Sequence, residues 1–401
     1  MKGTISVFTV SAAVGLCFAQ EAQQGDVPPQ AEGKTTQEAP AVSEQPAPSA
    51  EPAPAPEQPA PPAEPAPAPE PPAPPAEPAS KSFIESDMTT KTDEVIVDEP
   101  NIGPEEEVEQ AEPIQSSNVR LREAAEKGDE EAQWIMGGNY NMGLGVEHSS
   151  SKATQWYRKS AEQGNTKAQY DLGSSYEEGK GVSQSPEEAA KWYTKAAEKG
   201  NADAQAALGK MYDEGRGVES SSQDAVAWYR KAADQGNAEA QYQLGRCFEQ
   251  GIGVPQSPQE ALSWYRRAAE KGHAGAQFCL GVCYESGLGT EASPEQAVSW
   301  YMKAAEQYHA EAQCRLALCL HEGRGIPASE TEAQKWFRAA AEQGQVVAMC
   351  MLAEYYLHGK GGAGVSPEHA RKWYRRAAAK EYGPAREALK GMKGAGKASP
   401  E

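Results

Sequence analysis

The chain of 401 residues is poor in the groups from which catalytic sites are usually built. It has six histidines, His148, His273, His309, His321, His358 and His369, and they show no register that would assemble a site. No H-E-x-x-H, no C-x-x-C and no phosphate-cradling loop occurs, and each Gly-x-Gly follows a helical pattern where a dinucleotide motif would follow a strand. Ser149–Lys152 fits S-x-x-K, the pattern of penicillin-binding proteins, but neither S-D-N nor K-T-G accompanies it. Long apolar runs are also missing. The longest, Ile5–Phe18, is too short to span a bilayer comfortably, so no membrane span is expected in the mature chain. Positive charge is the minority: 38 basic against 58 acidic residues leave a net charge of −20, which argues against nucleic acid and anionic membrane as partners. What remains is a binding protein without cofactor or metal.

Cysteine is scarce and confined. Of seven, Cys17 lies near the start, and the other six fall within residues 247–350. In an exported chain an even number favours disulfides. Register makes neighbour pairs the economical scheme: Cys247 with Cys279, Cys283 with Cys314, and Cys319 with Cys350. Each bridge would be worth about 3 kcal/mol in the chain-entropy model. Six cysteines allow fifteen connectivities, the positions concerned point about 100° apart on a helix, and buried free thiols are the alternative.

What is abundant at the N-terminus is proline and acid. Residues 1–19 have the form of a secretory signal, with Lys2 ahead of the apolar run and cleavage expected near Ala19, which places the mature protein in the periplasm or outside the cell. A lipid anchor at Cys17 is the rival reading, although Leu16 stands where a small residue is expected. Residues 20–80 are Pro/Ala/Glu-rich low complexity, with 19 of the 30 prolines, and read as an extended solvated linker; a ligand for a proline-binding module is the alternative. Residues 81–116 stay polar and acidic, with one apolar scrap at Val95–Val97. From Glu21 to Glu112 there are 21 acids and three lysines, so the acidity belongs to this disordered arm.

Beyond residue 116 a Trp-Tyr pair returns at Trp156, Trp192, Trp228, Trp264 and Trp300, then as Trp336-Phe337 and as Trp373-Tyr374. The interval is 36 residues and, at the last step, 37. A fixed period of this size means a stacked repeat protein. Other positions keep step: an Ala three residues before each Trp, then Ala-Gln-x-x-Leu-Gly, an aromatic, and Gly-x-Gly-Val. Ala, Leu and Tyr at offsets 0, 4 and 8 line one helical face, and Ala, Trp and Ala at 0, 3 and 7 line another. Each unit is thus a helical hairpin. Gly173 against Ala189 is expected to let the two axes approach closely, and Ser185-Pro186 and its equivalents open the second helix with a cap and a first-turn proline.

These residues resemble the Sel-1-like repeat family of the tetratricopeptide-like superfamily, across residues 117–393, with a flexible tail over 394–401. The resemblance implies an all-α solenoid of about seven hairpins, a half unit before them and a lone first helix after. The chain departs from the family pattern at Tyr308 and Glu381 (for Gly), at Thr290 (for Val), at Ala317 and Ala353 (for Gly), and by an insertion within Gly361–Gly364, so the last two units are expected to pack less regularly. It also implies a scaffold for protein–protein interaction, acting through the concave face lined by first helices. If so, a groove is formed by Trp134, Tyr170, Tyr242 and Phe278, with Ala206, Cys314 and Cys350 in the same register. Glu177, Asp213 and Glu249 border it, and the partner is a protein or peptide of basic and apolar character bound by a monomer. Two alternatives stay open: an envelope stress or virulence factor binding peptide or glycan, and, from cysteine-rich relatives, a β-lactamase-like or penicillin-binding hydrolase.

Overall fold

The computed structural model describes residues 114–395, with side-chain surroundings over 119–392. The expected signal, the linker and most of the acidic segment, including Val95–Val97, lie outside the described residues. Sixteen α-helices and no strand are found among the described residues. A lone helix α1 (Ile114–Glu126) precedes seven hairpins. These are α2 (Glu130–Met142) with α3 (Ser150–Gln163), α4 (Thr166–Glu178) with α5 (Pro186–Glu198), and α6 (Ala202–Glu214) with α7 (Ser222–Asp234). Then come α8 (Ala238–Gln250) with α9 (Pro258–Glu270), α10 (Ala274–Ser286) with α11 (Pro294–Glu306), α12 (Ala310–Glu322) with α13 (Glu330–Glu342), and α14 (Val346–His358) with α15 (Pro367–Ala379). A lone α16 (Gly383–Ala395) follows. Each helix packs on its hairpin partner and on the next hairpin, so the array is an all-α solenoid.

Local chemistry sets the ends of the hairpin helices. Each second helix starts on a serine, from Ser149 to Ser366, whose Oγ accepts the amide three residues on at 3.2–3.4 Å. Ser149 of the S-x-x-K match is one of these caps. First helices start on Asp129, Asn165, Asn201, Asn237, His273, His309 or Gln345, again with the side chain accepting the third amide. The Gly-x-Gly turn has two separate jobs. Its first glycine is the left-handed C-cap of the first helix, as at Gly251 with φ 73°. Its second glycine, such as Gly253 with φ 68°, lies against the backbone carbonyl of Ser222 at the start of the previous hairpin's second helix, so a Cβ there would collide. One glycine ends a helix, and the other joins two repeats.

The closest approach inside a hairpin differs from the expected Gly173–Ala189 contact. Gly173 faces the ring of Tyr193, which a Cβ would meet at 2.7 Å, and Gly245 faces Tyr265 in the same way at 2.6 Å. The glycine makes room for an aromatic ring wedged between the two helices. Those rings are the core: Tyr193, Tyr229, Tyr265, Tyr301, Phe337 and Tyr374 are almost fully buried, with a Leu from each first helix beside them. At about 25 cal/mol per Å² of apolar surface, burial of such a ring contributes on the order of 2–3 kcal/mol per repeat.

The last two units do not pack loosely, contrary to expectation. Ala317 and Ala353, where earlier units have glycine, are fully buried beside the equally buried Phe337 and near-buried Tyr374. The ring adjusts: Tyr193, Tyr265 and Tyr301 donate to a glutamate one turn after the glycine, whereas Tyr374 donates to Glu354, the neighbour of Ala353. The insertion is absorbed by a 3₁₀ turn at Lys360–Gly362, and Gly361 still sits on the Glu330 carbonyl as its equivalents do. Tyr308 and Glu381 also keep the repeat's geometry, each holding φ 64° where other units use glycine.

Candidate functional site

The aromatic row expected on the first helices exists, but it is embedded more deeply than a groove lining would be. Tyr170 lies 5.6 Å from the Tyr193 ring, Tyr242 lies 6.0 Å from Tyr265, and Phe278 lies 5.8 Å from Tyr301. Tyr242 and Phe278 are further stacked by the cap histidines of the next repeat, His273 at 4.6 Å and His309 at 4.9 Å. Phe278 is buried, as are Ala206 and Cys314. Trp134, Tyr170, Tyr242 and Cys350 are half-buried and keep one edge at the surface. Trp134 is oriented by a 2.6 Å bond from its indole N–H to Asp171 of the next repeat, and Lys167 lies over its ring. Each aromatic is therefore held in one orientation, which lowers the entropy lost when it meets a ligand.

The acidic border is largely committed to the fold. Glu177 accepts the Tyr193 hydroxyl at 2.8 Å and pairs with Arg216 of the next turn. Glu249 accepts the Tyr265 hydroxyl at 2.7 Å. Glu285 accepts from Tyr301 and pairs with Arg315 and Arg324. Asp213 breaks the series: it is one methylene shorter, it is exposed, and the buried Tyr229 hydroxyl has no partner. Among these acids Asp213 is the one left facing solvent.

The opposite, second-helix face carries a layer that the sequence reading passed over. A cation three residues after the ladder tryptophan lies over its ring: Lys159 on Trp156 at 4.1 Å, Lys195 on Trp192 at 3.8 Å, Lys231 on Trp228 at 3.7 Å, and Arg267 on Trp264 at 4.4 Å. The i, i+3 spacing was its visible signal. His273 and His309 share one register, as helix caps, which the sequence reading did not single out.

Seven consecutive segments match the Sel1 repeat: residues 130–165, 166–201, 202–237, 238–273, 274–309, 310–345 and 346–382. The chain belongs to the Sel1 repeat family. Sel1 repeat proteins are generally scaffolds for protein interaction and typically non-catalytic. Among solved structures, the chain is similar to c5321, a protective antigen of uropathogenic Escherichia coli with this fold, at 35% identity and TM-score 0.63. That match covers 68% of this chain and 58% of the antigen, so the chain spans less than two thirds of its relative's length. It is also similar to a Sel1 repeat protein from Oxalobacter formigenes, at 36% identity and TM-score 0.55, over 61% of this chain and 96% of that one. No protein of curated function matches the sequence.

Two further expectations bear on this geometry. In the structure the six cysteines of the array are free thiols, and none of the three neighbour pairs is bridged. The members of each expected pair stand 31 or 32 residues apart, so they occupy different registers of successive repeats. Burial raises the Cys279 and Cys350 thiols, with smaller contributions from Cys283, a turn on along α10, and from Cys314, in the same register of the preceding repeat. Burial pushes Cys247 and Cys319 up to about 11 and Cys283 and Cys350 up to about 12, which keeps them protonated and poorly nucleophilic. In the S-x-x-K match, Ser149 Oγ is occupied by the Lys152 amide, and the Lys152 ammonium lies over the Tyr140 ring at 5.3 Å. Neither group is aimed at the other as nucleophile and base.

Proposed function

We propose that this Sel1 repeat protein is an exported adaptor that holds an extended stretch of a partner protein along its first-helix face. The observation that supports this reading is the pair Tyr170 and Tyr242. Each ring is fixed against a buried tyrosine, one edge is accessible, and the hydroxyl makes no hydrogen bond among the described residues. Rigid amphipathic aromatics of this kind give contact area and a polar handle at little entropic cost. Trp134 extends the row in the first repeat, and Asp213 offers one carboxylate to a basic side chain between Tyr170 and Tyr242. The partner is therefore mainly apolar and polar, with few positive charges, because Glu177 and Glu249 are already engaged. The residues at 1–19 support export to the periplasm or beyond, and the mature chain is expected to begin at Gln20 and to act as a monomer.

The test is a pull-down from envelope extract with the full mature chain, run beside a Trp134→Ala, Tyr170→Ala, Tyr242→Ala variant. Phe278 is left intact because it is buried and its loss would unfold the repeat. A partner captured by the parent and lost by the variant, at unchanged helicity, supports the reading. A partner retained by the variant overturns it. N-terminal sequencing of the mature protein decides the export site.

A further inference from the structure

Six repeats bury a glutamine at the second position of the first helix's Ala-Gln pair, and the structure accounts for its amide atom by atom. The Nε2 group donates to the carbonyl eight residues back, as Gln133 does to Ala125 at 3.0 Å and Gln169 to Ala161 at 3.1 Å. The Oε1 acceptor is left for another donor. In four repeats it is met by a second glutamine near the end of the second helix: Gln163 to Gln133 at 2.8 Å, Gln235 to Gln205 at 2.7 Å, Gln307 to Gln277 at 2.8 Å, and Gln343 to Gln313 at 2.7 Å. In the second and fourth repeats that donor position is Lys199 and Lys271. Both lysines turn away and donate to the carbonyl of the preceding repeat, at Gly164 and Gly236.

The consequence is that Gln169 Oε1 and Gln241 Oε1 are buried acceptors without a partner, in side chains only 4% exposed. A buried, unmet acceptor is costly, because it has lost its water and gained no donor in exchange. The chain contains a way to avoid that cost and uses it once: in the seventh repeat the lysine recurs as Lys380, and there the buried glutamine is replaced by Met349. Gln169 also lines a cleft of about 470 Å³, walled by Glu162, Trp192, Lys195, Glu198 and Lys199. Its rim carries two acids and two lysines, so it favours a neutral polar group over an ion.

We infer that the second and fourth repeats are paired docking points for the primary carboxamide of an asparagine or glutamine side chain on a partner polypeptide. The incoming N–H takes the place that Gln163 and Gln235 take in the first and third repeats, and Trp192 walls the cleft at the first point. The two points lie two repeats apart on the second-helix side, so a partner bearing two such side chains gains by bivalency. This site is independent of the aromatic row on the first helices.

The test titrates the full mature chain with N-acetylglutamine N-methylamide and, in parallel, with N-acetylglutamate N-methylamide, which lacks the carboxamide donor. The readouts are the side-chain amide signals of Gln169 and Gln241 and the indole N–H signals of Trp192 and Trp264. The expected result is a saturable shift at both sites with the first probe and at least tenfold weaker binding of the second, while Trp156 and Trp228 stay still. The variant Lys199→Gln, Lys271→Gln rebuilds the arrangement of the other repeats, so it should fold, melt at a higher temperature and lose the shift. The variant Lys199→Ala, Lys271→Ala leaves the acceptors open and should retain it. The inference is overturned by an absent shift, by equal response to both probes, by a shift that survives the glutamine variant, or by its loss in the alanine variant.

Discussion

At the scale of single residues, the informative positions are those where one repeat differs from its neighbours. His309 caps α12 by accepting the Ala312 amide at Nδ1, 3.3 Å away, and this requires the ring to be unprotonated there. Burial lowers its pKa, helped by His273 and opposed by Glu311, and burial and Lys360 likewise lower that of His321, which bonds the Tyr355 hydroxyl. With folded pKa values below the unfolded one, both histidines contribute stability that is present above about pH 6.5 and is lost as pH falls through their folded values. The thermal midpoint should therefore drop between pH 7.5 and pH 5. His309→Asn keeps a cap, as Asn237 does in α8, and should remove its share of that acid loss. An unchanged pH profile in the variant would show that the cap is not the titrating element.

At the scale of elements, the hairpin is a fixed set of end conditions around one ring. The two glycines of the turn are not equivalent to those replaced by Tyr308 and Glu381. Gly253 combines φ 68° with backbone in the space of its missing Cβ, so Gly253→Ala carries both strain and collision. It should cost about 2 kcal/mol or more. Tyr308 has only the conformational penalty, since its side chain is 78% exposed. Tyr308→Gly should accordingly stabilise by about 1 kcal/mol. Thermal unfolding of the two variants side by side checks both signs. If Gly253→Ala were neutral, the joint between repeats would be looser than its geometry indicates.

At the scale of the whole array, no repeat buries its rings alone. Each hairpin covers the next, α1 covers the first and α16 covers the last through Ala385, with Leu389 and Met392 packed beside it. Truncation after Tyr382 should expose the outer face of α15 and cost about 2–4 kcal/mol by the area it uncovers. In urea the array should still unfold in a single transition, at a lower midpoint and with a slightly smaller slope. A second transition confined to the truncated end would show that the repeats are coupled less tightly than their shared rings suggest.

The period, the helix ends, the number of hairpins and the identity of the family were all legible in residues 117–393, because each follows from local rules repeated at a constant interval. Serine before proline caps a helix wherever it stands, and glycine ends one. The candidate site was legible only in outline. Register placed Trp134, Tyr170, Tyr242 and Phe278 in one row, but only packing decided that Phe278 is interior and that Glu177 and Glu249 serve buried tyrosines. Register likewise offered three disulfides, whereas the six thiols stand unpaired in the structure. The unmet acceptors of Gln169 and Gln241 depend on where a lysine thirty residues away turns its ammonium. Sequence determines which groups recur and at what interval. Tertiary structure alone decides which of them meet, because a hydrogen bond or a ring contact is settled within an ångström or so, and a repeat period does not specify position that finely.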